Sequence, residues 1–83
     1  MTIDHDGDVP VYLQLAAILR GQIERGEIPP RRPLPSINRL AQEYGIARGS
    51  AEKAVQVLRD EGLVRTVIGR GVYVVPQDAS GPQ

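Results

Sequence analysis

The chain of 83 residues contains no cysteine, tryptophan or phenylalanine, and it has a single histidine. Without cysteine, neither a disulfide bond nor a thiolate metal site can form. The histidine, His5, lies among acidic residues near the amino terminus and has no candidate nucleophile beside it in the sequence. These absences remove the usual catalytic constellations. We therefore expect a protein that is not an enzyme and that uses no metal and no cofactor.

Long hydrophobic runs are also missing. No apolar stretch approaches the roughly 20 residues that a membrane-spanning helix needs. The amino-terminal sequence MTIDHDGD is acidic and lacks the basic-then-apolar order of a secretion signal. We expect a cytoplasmic protein with one small domain, because a chain of this length supports one compact core and no more.

The charges total zero but are unevenly distributed along the chain. Residues 1–30 contain two arginines and five acidic residues, which gives −3. Residues 31–76 contain eight basic and four acidic residues, which gives +4, and Asp78 brings the total to zero. The chain is therefore polarised, and a neutral total does not exclude a nucleic-acid partner for the basic part.

Hydrophobic spacing and glycine or capping boundaries predict three helices followed by a β-hairpin. The predicted helices cover 9–25, 36–44 and 47–61, and the predicted strands cover 63–68 and 72–75. The proline-rich connector 28–33 cannot be regular helix, because proline lacks a backbone donor and restricts the residue before it. We expect residues 1–8 to be a disordered acidic lead, 9–76 to form the domain, and 77–83 to be a flexible tail.

The second and third predicted helices have the spacing of a helix-turn-helix. Ala41 provides a small residue where the helices cross, and Gly45 tolerates the positive φ of the turn. The residues that can lock the two helices together are apolar: Leu40, Ile46, Ala51, Ala54 and Leu58. The predicted fold class is therefore α+β, mainly α: a three-helix winged helix-turn-helix with a C-terminal two-stranded β-hairpin as the wing.

The third helix should then expose a polar face that can bond base edges or phosphates. Its predicted buried stripe is Ala51, Ala54, Val55 and Leu58. The residues predicted to face DNA are Arg48, Gly49, Ser50, Glu52, Lys53 and Gln56. Gly49 is unfavourable inside a helix by roughly 1 kcal/mol, and close approach of the backbone to DNA would explain its presence.

From Val9 to Pro76 the chain resembles the amino-terminal DNA-binding domain of the GntR family of bacterial regulators. The resemblance is carried by short motifs in a fixed order: PVY at 10–12, GEIPP at 26–30, LPS at 34–36, LA at 40–41, GIAR at 45–48, EGLV at 61–64 and GRGVYV at 69–74. It implies that the third helix enters the major groove and that the hairpin tip reaches the minor groove.

The resemblance also implies individual contacts. It assigns Ser36 to a phosphate, Arg48 to a base or phosphate, and Gly69 to the wing tip. Asn38 stands where the family usually has arginine, and Arg39 is adjacent. Arg70 and Gly71 complete the predicted wing contact. Ala47 replaces a usual serine, which removes a cap, and the segment 49–52 also departs from the family pattern, so the family's operator need not transfer.

Several residues have simpler interpretations. Glu52 could pair with Gln56 or Arg48 instead of accepting a bond from a cytosine amino group. The three tyrosines, Tyr12, Tyr44 and Tyr73, should pack on the core. Arg31 and Arg32 could follow the DNA backbone or simply be solvated.

The functional prediction is sequence-specific binding of double-stranded DNA by a transcriptional regulator, a repressor, that has no effector domain and binds operators as a homodimer. Family members usually continue into a metabolite-binding domain, and no small-molecule effector is evident here. The alternative is a protein-interaction module on a winged-helix scaffold, motivated by the zero net charge and by Glu52.

Overall fold

The computed structural model of the protein describes residues 3–76. Its elements in chain order are α1 (Val11–Glu24), α2 (Ile37–Tyr44), α3 (Arg48–Asp60), β1 (Val64–Val67) and β2 (Gly71–Val74). The predicted order of three helices and a hairpin is confirmed, with ends that differ by at most two residues. The predicted flexible tail, 77–83, and the first two residues of the predicted lead lie outside the described residues.

The core is aliphatic and is built mainly where α1 packs on α3. Its largest fully buried side chains are Leu15, Leu19, Leu40, Leu58 and Val64. Ala16 of α1 and Ala51 and Ala54 of α3 are also fully buried. Because alanine side chains are short, the helix backbones can approach closely while the leucines fill the remaining space. This packing fixes α3, and therefore its outer face, relative to the rest of the domain.

The wing is an antiparallel hairpin in which Val64 pairs with Val74 and Arg65 with Tyr73. The connector before α2 adds to the edge of β2, which the sequence did not predict. The N–H of Arg31 donates to the Val74 carbonyl and the N–H of Val74 donates to the Arg32 carbonyl, both at 2.9 Å. The wing is thereby tied to the amino-terminal side of α2.

The acidic lead is attached to α1 over the part that the structure describes. Ile3 is buried in the core. The Gln14 side chain accepts a hydrogen bond from the Asp4 N–H and donates one to the Asp4 carbonyl, both at 2.7 Å. Residues 3–8 therefore differ from the expected disordered lead, because one apolar side chain and one glutamine hold them against the helix.

Candidate nucleic-acid interface

The turn between α2 and α3 sets the direction of α3. Ser36 caps α2 by accepting a hydrogen bond from the Arg39 N–H at 3.1 Å. Gly45 ends α2 in the left-handed region with φ 66°, where a side chain would be strained. The Ile46 N–H then donates to the Ala41 carbonyl at 3.0 Å. These bonds turn the chain sharply, so that α3 starts three residues after Gly45.

The buried stripe of α3 is the predicted one: Ala51, Ala54, Val55 and Leu58. On the other side of the helix, Arg48, Gly49, Glu52, Lys53 and Gln56 are exposed, and Ser50 is half-buried. We call these six residues the α3 outer face. Neither Arg48 nor Lys53 lies against the protein interior. The helix therefore presents a polar surface, with its basic residues in the first two turns.

Two contacts on the α3 outer face were not predicted. The Lys53 ammonium lies 5.3 Å from the centre of the Tyr12 ring of α1, a cation–π distance. The Gln56 amide donates to Asp60 at 2.8 Å, where the sequence had left open a pairing of Gln56 with Glu52. Asp60, one turn further along, satisfies the amide at the usual i,i+4 spacing.

The amino end of α3 is open. Its N-cap, Ala47, makes no side-chain hydrogen bond to the first turn, so the backbone N–H groups there have no capping side chain. A β-carbon built on Gly49 would meet no heavy atom within 4 Å. The fold itself therefore does not require glycine at this position.

The predicted contacts on α2 are exposed along one shallow depression. Ser36, Asn38 and Arg39 line it, together with Gln42 and Glu43. Arg39 forms a weak ion pair with Glu43 at 4.0 Å. The Ser36 hydroxyl accepts the capping bond but still has its own proton to donate.

At the wing tip, Gly69 and Gly71 have φ of 79° and 113°, which explains why both positions are glycine. The Arg70 N–H donates to the Val67 carbonyl at 2.9 Å and closes the turn. Arg70 is exposed, and Ile68, two residues before it, is 94% exposed. The sequence did not predict that Ile68 is so exposed, because it placed this residue in an ordinary strand.

The tyrosines divide between the core and the wing. Tyr12 and Tyr44 are half-buried and pack on the core as predicted. The prediction for Tyr73 is wrong: it pairs with Arg65 and lines an open groove on the wing instead of joining the core. Side chains alternate between the faces of a strand, and the neighbouring position, Val74, takes the buried side.

An ion pair ties α1 to the carboxyl end of α3. Arg20 donates two hydrogen bonds to the Glu61 carboxylate, at 2.8 and 2.6 Å. This hydrogen bonding, aided by the charge of Arg20, holds the pKa of Glu61 below its ordinary value of 4.5, and it raises the pKa of Arg20. The pair reinforces the α1–α3 packing that presents the α3 outer face.

Within residues 3–76 no set of three or more histidine, aspartate or glutamate side chains is grouped as a metal site would require. None of the helices in that range has both the length and the apolar character needed to cross a bilayer.

Three helices, a glycine turn between the second and third, and a terminal antiparallel hairpin define a winged helix-turn-helix domain. The model of the family described as bacterial regulatory proteins, gntR family, matches residues 11–74, which is most of the chain. The protein belongs to this family, as its motifs indicated.

Curated relatives agree with this assignment. The chain is 38% identical over 74 residues to the HTH-type transcriptional repressor NagR of Bacillus subtilis, covering 89% of the chain and 30% of the relative. It is 35% identical over 68 residues to the mannosyl-D-glycerate transport/metabolism system repressor MngR of Escherichia coli, covering 82% of the chain and 28% of the relative. The chain thus spans less than a third of the length of either relative.

Solved structures share the fold. YtrA from Sulfolobus acidocaldarius, a GntR-family transcription factor, is 35% identical with a TM-score of 0.78, over 94% of this chain and 66% of that one. The DNA-binding domain of AraR in complex with operator ORX1 is 28% identical with a TM-score of 0.79, over 90% of this chain and 99% of that one.

Proposed function

We propose that the protein binds double-stranded DNA in a sequence-specific manner as a transcriptional regulator. The observation that carries this proposal is the α3 outer face: an exposed polar helix surface with Arg48 and Lys53 in its first two turns, set by a glycine turn and flanked by a glycine-arginine wing tip. A helix of this kind fits the major groove. The fold shared with the AraR domain in complex with operator ORX1 supports binding to double-stranded DNA.

The contacts divide into three groups by element. On α2, Ser36, Asn38 and Arg39 face phosphates. On α3, the outer face reads bases and neighbouring phosphates, through Arg48, Gly49, Ser50, Glu52, Lys53 and Gln56. On the wing, Gly69, Arg70 and Gly71 approach the minor groove. Phosphate contacts position the protein and base contacts give specificity.

The decisive experiment compares two arginine variants on an operator obtained by selecting bound fragments from random duplexes. Arg48→Ala should weaken binding by roughly 5- to 150-fold, the range for one lost specific contact of about 1–3 kcal/mol. Arg25→Ala is the matched control, because Arg25 lies at the carboxyl end of α1 and pairs with Glu27 at 2.8 Å. It should change the dissociation constant little. Equal losses in the two variants would contradict this orientation.

Salt dependence tests the electrostatic part of the proposal. If about five phosphates are neutralised, the logarithm of the binding constant should fall against the logarithm of salt concentration with a slope of roughly −4 to −5. Fluorescence anisotropy with a labelled operator duplex measures this slope. A flat dependence would rule out binding through phosphates.

We further propose that the protein represses transcription and that two copies occupy adjacent half-sites, because a single small domain covers few base pairs. NagR and MngR are both named as repressors, which supports repression as the direction of regulation. A promoter carrying the selected operator should lose reporter expression when the protein is produced. Increased expression would reverse the assignment.

A further inference from the structure

The outer side of the wing sheet carries three arginines around one tyrosine. Arg65 on β1 pairs with Tyr73 on β2, and directly paired residues project from the same face of a sheet. Arg31 of the connector and Arg70 of the turn line the same open groove. We call these four residues the outer wing patch.

Alternation along the strands shows which way this patch faces. Val64 and Val74 pair with each other and are buried. Thr66 accepts a hydrogen bond from Arg59 of α3 at 2.7 Å. These residues define the side of the sheet that turns toward α3 and the core. Arg65, which lies between Val64 and Thr66, therefore projects from the opposite side, away from α3.

The positive charge of the outer wing patch is not compensated within the described part of the chain. The ion pairs among residues 3–76 involve Arg20, Arg25 and Arg39. None involves an arginine of the patch, and the groove has no acidic residue in its lining. Three guanidinium groups around one groove make a surface suited to an anion.

Arg31 also has an unusual backbone. It is the one residue other than glycine between positions 3 and 76 that has a positive φ, 67°. A left-handed backbone is unfavourable for side chains with a β-carbon, and glycine or asparagine is the usual solution. Strained residues concentrate at functional sites, and the positive φ of Arg31 therefore points to a role for its side chain.

We propose that the outer wing patch binds phosphates of the DNA strand on the far side of the minor groove that the wing enters. This inference rests on the proposed function. With α3 in the major groove and the wing in the adjacent minor groove, one strand passes between α3 and the wing, and the other runs along the outer side of the wing. Arginine binds phosphate oxygens in a bidentate manner, and the Tyr73 hydroxyl can donate a further bond.

The test measures the salt slope of operator binding for Arg31→Asn and Arg65→Gln. Asparagine tolerates the left-handed backbone at position 31, and thermal melting of each variant checks that the fold is kept. Each variant should reduce the magnitude of the slope by about 1, with unchanged base preference in a repeated selection. Arg65→Lys should retain most of the slope, because it keeps the charge.

Arg32→Gln is the matched control. Arg32 is the next residue of the same connector, but it lines a separate groove between the connector and α2 together with Glu27. Its substitution should leave the slope closer to that of the unmodified protein than Arg31→Asn does.

A second arm changes the DNA. Neutral methylphosphonates replace the far-strand phosphates that flank the wing. On this DNA the unmodified protein should show the salt slope that the double variant Arg31→Asn with Arg65→Gln shows on unmodified DNA, and the double variant should lose nothing more. Slopes for Arg31→Asn and Arg65→Gln equal to that of the unmodified protein would overturn the inference, while Arg48→Ala could still uphold DNA binding. A protein without salt-dependent duplex binding would overturn both.

Discussion

At the scale of single residues, Gly49 is a glycine that the fold of the free protein does not need. It lies in the first turn of α3, where glycine is disfavoured, and no part of the protein occupies the space of its missing side chain. Gly45 and Gly69 differ from it, because both have positive φ and serve the backbone of the free protein.

We predict that Gly49→Ala stabilises the free protein by up to about 1 kcal/mol, because alanine has the higher helix propensity, and weakens operator binding, because its methyl group separates α3 from the groove. Urea unfolding and anisotropy titration measure the two effects. Gly45→Ala is the control and should destabilise by roughly 1–2 kcal/mol, the cost of a side chain in the left-handed region. Operator affinity unchanged by Gly49→Ala would show that the backbone does not closely approach DNA.

At the scale of secondary-structure elements, the two helices of the helix-turn-helix begin differently. Ser36 caps α2 with its side chain, whereas Ala47 leaves α3 without a side-chain cap. The first helix of the motif is thus stabilised locally, and the second depends on its packing against α1.

The missing cap gives a direct prediction. Ala47→Ser should raise the free energy of unfolding by about 1 kcal/mol, because serine can accept a bond from the first turn. Ser36→Ala should lower it by a similar amount. Urea unfolding of both variants measures the difference. If Ala47→Ser gave no gain, the start of α3 would have to be arranged so that its N–H groups cannot reach a serine oxygen.

The Arg20–Glu61 pair makes the α1–α3 contact sensitive to acid. Because the folded-state pKa of Glu61 lies below its ordinary value of 4.5, the pair contributes stability above that value. The contribution is lost as pH falls through the lowered pKa and the carboxylate becomes protonated. Glu61→Gln should therefore lower the melting temperature near neutral pH and make little difference at strongly acid pH. A difference that was constant between neutral and acid pH would contradict this assignment.

At the scale of the whole molecule, charge is separated along the chain. The negative lead lies along α1, and the positive residues are on the connector, on α3 and on the wing. Although the net charge is zero, the negative and positive residues are on different parts of the molecule. This charge separation affects association with DNA more than it affects folding.

Removing two negative charges from the acidic lead tests the effect of this charge separation on DNA binding. Asp6→Asn with Asp8→Asn should increase affinity for non-specific duplex DNA at low salt, because two negative charges are removed from a molecule that approaches phosphates. Asp4 is left unchanged, since its carboxylate accepts the Asp6 N–H at 3.0 Å. The gain should disappear at high salt, where the Debye length is only about 3 Å at 1 M. A gain that persisted there would indicate a structural change instead.

Local patterns in the sequence predicted the helices, the hairpin and the buried stripe of α3. These features depend on interactions between near neighbours: apolar residues at helical spacing, the Ser36 cap, and glycines where φ must be positive. Ala51, Ala54, Val55 and Leu58 were assignable for this reason, because a stripe at 3.6-residue spacing has one side to bury.

The tertiary structure decided what depends on residues far apart in sequence. It paired the connector with β2, placed Tyr73 beside Arg65 on the outer wing instead of in the core, docked Ile3, and set Lys53 over Tyr12. Periodicity gives no information about which segment covers which face, since that choice is made by the packing of the whole domain. Local sequence patterns were sufficient to assign the helices, the hairpin and the protein family. Which charged residues surround the wing depended on the packing of the whole domain.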